Sequence, residues 1–204
     1  MPEKVERRSA LAEIYRTGSF GLQGDGGPGV RLTERRALSI VEIQAWPDAA
    51  TAVRDGVGSA LGLHLPHEPN RAVLLEDGTS AIAIGPDRWL VVERERRDLY
   101  GLLRAALGEN QAAVTDQGHG RVGLRLEGRN VRDLLSKGTS VDLRPSRFPP
   151  GQSAGTKLDH VAVLLHCLDR DRFDLFVLRS YAVSLYEWIL DAALEFGCRV
   201  EDPI

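Results

Sequence analysis

Two stretches of this 204-residue chain run through the same succession of patterns, and that repetition limits the folds open to it. In the first, LSIVEIQAW alternates as a strand does. Pro47 and Asp48 then open a helix, with Asp48 as cap or first-turn acid. Ala49, Ala52, Val53, Val57, Ala60 and Leu61 fall on one helical stripe, which Gly62 and Pro66 end. Ala81–Ile84 and Trp89–Glu93 flank Gly85-Pro86-Asp87-Arg88 and read as a hairpin. Asp98–Leu107 is an amphipathic helix with Leu99, Leu102, Leu103 and Ala106 inward.

The second stretch repeats that order. RVGLRLE (Arg121–Glu127) alternates as a strand, and Gly128 and Asn130 open a helix carrying Val131, Leu134 and Leu135. After the bend RPSRFPPG, His160–Leu168 and Arg172–Arg179 form a hairpin, and Tyr181–Phe196 is the final helix. Asp87-Arg88-Trp89 with Leu99-Tyr100 echoes Asp171-Arg172-Phe173 with Leu185-Tyr186. Strand–helix–hairpin–helix is split β-α-β connectivity. The expected class is therefore α+β, with duplicated ferredoxin-like halves at 37–113 and 114–197. These form one domain over 37–204, with a short C-terminal tail.

Residues 1–36 read as a peripheral arm, partly extended or disordered. Ser9–Tyr15 suits a short helix, and GSFGLQGDGGPG holds six glycines and one proline. Six glycines invite a phosphate-loop reading, but no Gly-Lys-Ser/Thr follows. The better reading is a loop, since glycine loses most entropy on ordering.

Lys+Arg is 26 and Asp+Glu is 29, a formal net charge of −3, which gives no basic footprint for nucleic acid or an anionic membrane. No apolar run reaches the roughly 20 residues that span a bilayer. The start MPEKVERRSALAEIY has no signal-type apolar core, so a cytoplasmic location is expected. Cys167 and Cys198 lack zinc-site spacing and read as core thiols.

Asp116, His119 and Arg121 cluster at a turn before a strand. Such a corner either holds an anionic or pterin-like ligand, or is simply a turn with Asp116 as cap and Gly118 and Gly120 at positive φ. The second reading is preferred. His160 and His166, six apart in one strand, would stand roughly 20 Å apart, far beyond a shared metal. His64 and His67 lie without a cysteine or carboxylate cluster. Ser180 lacks the Gly-x-Ser-x-Gly of a nucleophile elbow and reads as a helix N-cap. Asp159 reads as a turn residue rather than a base. No catalytic or metal-binding set is expected.

The last helix is apolar on two sides. Tyr181, Leu185, Trp188, Ile189, Ala192 and Phe196 cover one; Val183, Tyr186, Leu190 and Leu194 cover another; Ser184, Glu187, Asp191 and Glu195 form a narrow polar stripe. Such a helix is either central in its own fold or buried by a neighbour. Tyr181, Leu185, Tyr186, Trp188 and Ile189 are the candidate subunit-interface residues.

DQGHGRVGLRLEG, RDLLSKGTSVDLRPSRFPPG, VLLH and LRSYAVSLYEWILDAALEFG resemble the gamma subunit of heterotetrameric sarcosine oxidase, as do SALAEIYRTGSFG and IGPDRWLVV. The resemblance covers nearly the whole chain. It implies an accessory subunit of an enzyme complex that oxidatively demethylates sarcosine to glycine with hydrogen peroxide. With tetrahydrofolate, the methyl carbon leaves as 5,10-methylenetetrahydrofolate. It also implies alpha, beta and delta partners, alpha most directly. FAD, FMN and NAD would lie in alpha and beta and zinc in delta, with none bound by this chain alone. A more distant similarity is to folate-binding aminomethyltransferases, which implies an aminomethyltransferase-like architecture. There Gly118 replaces the family's serine, and Asp159 matches the catalytic aspartate only loosely in position. The alternative function is accordingly a stand-alone folate-binding or aminomethyltransferase-like protein. A folate-binding regulator is a third reading, which the C-terminal block argues against.

Overall fold

The computed structural model describes residues 8–22 and 26–204. In chain order the elements are β1 (Gly18–Phe20), β2 (Val30–Arg35), β3 (Leu38–Ala45), α1 (Ala50–Leu61), β4 (Ala72–Leu74), β5 (Ser80–Gly85), β6 (Arg88–Arg94) and α2 (Leu99–Leu107). There follow β7 (Ala112–Asp116), β8 (Arg121–Glu127), α3 (Val131–Ser136), β9 (Ser153–Leu158), β10 (Val161–Asp169), β11 (Arg172–Leu178), α4 (Ala182–Ala193) and β12 (Cys198–Val200).

The strands form two sheets, ordered β4-β5-β6-β3-β7 and β1-β12-β2-β8-β11-β10-β9. The α+β class read from the sequence is what the chain folds into. The halves are not exact copies, because β2 is wedged between β8 and β12, antiparallel to the first and parallel to the second. The expected division at 113/114 falls inside β7, which pairs with β3 over Val41–Ala45. The expected tail holds β12.

Alternation along the strands explains the layering. On β8, Val122, Leu124 and Leu126 join Leu134, Leu185 and Ile189 in a core between the larger sheet and α3 and α4. On β3 and β6, Val41, Ile43, Trp89 and Val91 join Val53, Val57 and Leu103 beneath α1 and α2. The opposite faces meet: Ile40, Ile82, Leu90 and Val92 pack with Leu164 and Phe176 of the other sheet. The order of layers is helices, sheet, sheet, helices. Fully burying a side chain such as Phe176 contributes about 1.5–3 kcal/mol.

The reading of the N-terminal residues as peripheral is corrected. Leu11, Val30 and Leu32 are fully buried in the α3–α4 core. Ser9–Tyr15 is a turn rather than a helix, closed by Tyr15 N donating to Leu11 O at 2.8 Å. The Gln23–Asp25 part of the glycine-rich segment and residues 1–7 lie outside the described residues.

Helix ends differ from expectation in two places. Asp48 lies ahead of α1 at φ 66° and gives no capping hydrogen bond. Ser180 lies in a 3₁₀ turn over Arg179–Tyr181 that leads into α4, again without a side-chain cap. Asp98 does cap α2, accepting from Gly101 N at 2.9 Å. A Cβ at Gly101 would meet the Asp98 carboxylate, which would have to shift from its capping position to make room.

Candidate functional site

The turn Gln117–Gly120 is where the chain leaves one sheet and enters the other, since β7 ends at Asp116 and β8 begins at Arg121. Backbone bonds fix it: Gln117 N donates to Ile40 O at 2.8 Å, and Gly120 N to Gln117 O at 2.9 Å. Arg179 N donates to Gly120 O at 2.8 Å, tying the turn to the end of β11. Neither Gly118 nor Gly120 is at positive φ, contrary to the turn geometry expected.

The structure divides the predicted corner into three different roles. Asp116 is exposed, and its Oδ1 accepts from Gly118 N at 2.8 Å, an Asx turn. His119 is exposed and lines a wide cavity of about 530 Å3 together with Asp116, Tyr100 and Arg97. Arg121 points elsewhere, into a second cavity of about 260 Å3 between the sheets. The cavities meet at Leu38, Glu95 and Gly118. Arg121 Nε is buried without a hydrogen-bond partner among the described residues. Burial lowers the pKa of its guanidinium, opposed by nearby Glu42. The three side chains thus do not converge on one reacting atom.

The other candidates resolve as follows. Leu185, Tyr186 and Ile189 are buried within this chain, and Trp188 is half-buried over Gly138, where a Cβ would stand 2.6 Å from the indole ring. Only Tyr181 of the five is open, at 50% exposure, with Leu178 and Val183 exposed beside it in sequence. Most of the apolar circumference of α4 is met within the chain, while Val183 and Leu194 stay exposed. One side lies on the sheet, and Tyr186 packs against Tyr15 in a tilted ring pair with centroids 5.5 Å apart. His160 sits in the turn before β10, not in the strand, next to Asp159, which is at φ 54° and whose carboxylate shares a hydrogen bond with His160 Nδ1.

Both thiols are buried. Burial raises the Cys167 thiol, and pushes that of Cys198 up to about 11. Neither is an activated nucleophile. Among the described residues no three His, Cys, Asp or Glu side chains converge as a metal site.

Sequence reasoning missed a polar row on the inner face of the larger sheet. Register aligns Ser153, His166, Asp174, Arg125 and Thr33 across β9, β10, β11, β8 and β2. Serine, histidine and aspartate side by side suggest a hydrolytic triad, but the arrangement opposes one. All three are at most 2% exposed. Asp174 is taken by Arg35 at 2.5 Å and by Arg125 at 2.8 and 3.0 Å, while Ser153 Oγ and His166 Nδ1 have no hydrogen-bond partner among the described residues. Burial lowers the His166 pKa to about 4, opposed by Asp174 and helped by Arg35 and Arg125. The available signal was Asp174 inside the apolar run RFDLFVL.

Residues 45–195 match the sarcosine oxidase, gamma subunit family. Sarcosine oxidase subunit gamma of an Arthrobacter species is 29% identical over 175 residues, 86% of this chain and 85% of that protein. The counterpart from Corynebacterium sp. (strain U-96) is 29% identical over 141 residues, 69% of each. In structure, a chain of heterotetrameric sarcosine oxidase from Corynebacterium sp. U-96, in complex with pyrrole 2-carboxylate, superposes with a TM-score of 0.81 at 26% identity. The match covers 93% of this chain and 96% of that one. Glycine cleavage system aminomethyltransferase T from Bartonella henselae shares the fold, with a TM-score of 0.63 at 15% identity over 95% of this chain and 58% of that one.

Proposed function

Because this chain belongs to the sarcosine oxidase gamma subunit family, we propose that it is the accessory gamma subunit of a heterotetrameric sarcosine oxidase. The observation that supports this reading most is the match to one whole chain of that assembly, at 93% and 96% coverage. The complex would demethylate sarcosine oxidatively to glycine with hydrogen peroxide and, given tetrahydrofolate, 5,10-methylenetetrahydrofolate. Alpha, beta and delta subunits are the partners, alpha most directly, and the compartment is the cytoplasm.

The redox chemistry is assigned to the partners. The described side chains offer no fit for zinc, and the thiols and His166 are buried. FAD, FMN, NAD and zinc belong to the other subunits in this reading, and no step is routed through this chain. Its contribution is to shape and support the assembly. Of the interface candidates, Tyr181 with Leu178 and Val183 is the group left to meet a partner, since Leu185, Tyr186 and Ile189 are already inside this chain.

The test is direct. Purified alone, the chain is expected to show no flavin absorbance and to produce no peroxide from sarcosine, whereas the assembled complex should absorb as a flavoprotein and produce peroxide. Peroxide from the isolated chain would overturn the assignment. A stand-alone aminomethyl-transfer function gains no support from the site, because Asp159 is exposed in a turn and bound to its neighbour His160.

A further inference from the structure

The half-buried Arg121 has a counter-charge problem. Its Nε is buried and without a hydrogen-bond partner among the described residues. A desolvated guanidinium is costly unless an anion faces it. Glu42 lies near enough to favour the cation, yet it is held by Arg88 Nη2 at 2.5 Å and approached by Gln117 Nε2 at 3.5 Å.

Arginines outnumber carboxylates around the narrow cavity: Arg8, Arg35, Arg36 and Arg179 line it with Arg121, against Glu34 and Glu95. Arg36 is met by Glu34 at 2.7 Å. Arg35 shares Asp174 with Arg125, so two guanidiniums compete for one carboxylate behind the wall. Arg179 Nη2 donates to the Arg8 carbonyl at 2.7 Å rather than to a carboxylate. Between these charges the wall is apolar, formed by Leu38, Ile40 and Val122.

We propose that this cavity between the two sheets binds a small organic anion, with its carboxylate or phosphate on the Arg121 guanidinium and its apolar body against Leu38, Ile40 and Val122. At about 260 Å3 the space lies below the range usual for drug-sized ligands, so the ligand is small. Planar guanidinium geometry suits either oxyanion, and the walls favour one with a short hydrocarbon body. The inference concerns this chain alone and stands apart from the assembly reading.

The experiment titrates the full chain with benzoate and, separately, with inorganic phosphate at constant ionic strength, following melting temperature and calorimetric binding. At least one anion is expected to bind saturably, and the stronger arm identifies the headgroup. Arg121→Gln should raise Kd at least about tenfold, equivalent to 1.4 kcal/mol. Arg199→Gln, an exposed arginine on β12, should leave it unchanged. In anion-free buffer Arg121→Met should melt no lower than the parent, because it removes a desolvated charge that Glu42, already held by Arg88, only partly offsets. Saturable binding that survives Arg121→Gln would sink the proposal, as would the absence of binding by both anions or a lower anion-free melting point for Arg121→Met. If Arg121→Gln instead weakens subunit assembly while neither anion binds, a partner's carboxylate fills the cavity and the proposal is equally wrong.

Discussion

Asp116 holds the crossover turn by accepting from the backbone amide of Gly118. Asp116→Ala is therefore expected to lower stability by roughly 0.5–1.5 kcal/mol in urea unfolding. The assembled complex should keep its folate-dependent product ratio at a temperature where it remains folded. A shifted ratio with unchanged stability would instead assign Asp116 to a ligand. His166 tests the buried row by pH. Its folded pKa lies below the usual value of 6.5, at about 4, so the fold favours the neutral ring. Its contribution is fully present above pH 6.5 and is lost as pH falls toward 4. Comparing urea midpoints of the parent and His166→Met across that window isolates the effect: the parent should lose more stability than the variant. Parallel curves would show that His166 is not protonated on unfolding. The residue types at the corner were legible in the sequence, and so was the turn. The divergence of Arg121 from Asp116 and His119 was not, because it depends on two sheets meeting at that turn.

At the scale of elements, α4 shows how a correct pattern leaves its cause open. Its apolar circumference was plain in the sequence, but core and interface give the same pattern. The structure covers Tyr186 with Tyr15, whose hydroxyl donates to Glu201 O at 2.8 Å and accepts from Glu34 N at 3.0 Å. These partners lie 186 and 19 residues away, beyond any periodicity argument. Leu11 is fully buried in the same core, so Leu11→Ala is expected to cost about 2–5 kcal/mol. A cost under about 0.5 kcal/mol would mean that the N-terminal segment leaves α4 uncovered in solution. Strands β8, β10 and β11 were legible because each is long and strongly apolar or alternating. Strands β4, β9 and β12 were not: at three to six residues their patterns are too short to stand out, and pairing with neighbours defines them.

At the scale of the whole molecule, the repeated element order gave the α+β class, and the insertion of β2 could not be read from it. VRLTER matches a strand pattern, but its place between β8 and β12 depends on pairing with residues about 90 and 170 positions away. Family membership was legible for a different reason, since the C-terminal block matched as a string of residues rather than as a pattern. The central claim is that this chain exists to join other subunits. The most direct measurement is size-exclusion chromatography after coexpression with a sarcosine oxidase alpha subunit. The two are predicted to elute together in a fixed ratio, with Tyr181→Asp weakening that association. An alpha subunit that elutes separately from a well-behaved monomer of this chain would contradict the account.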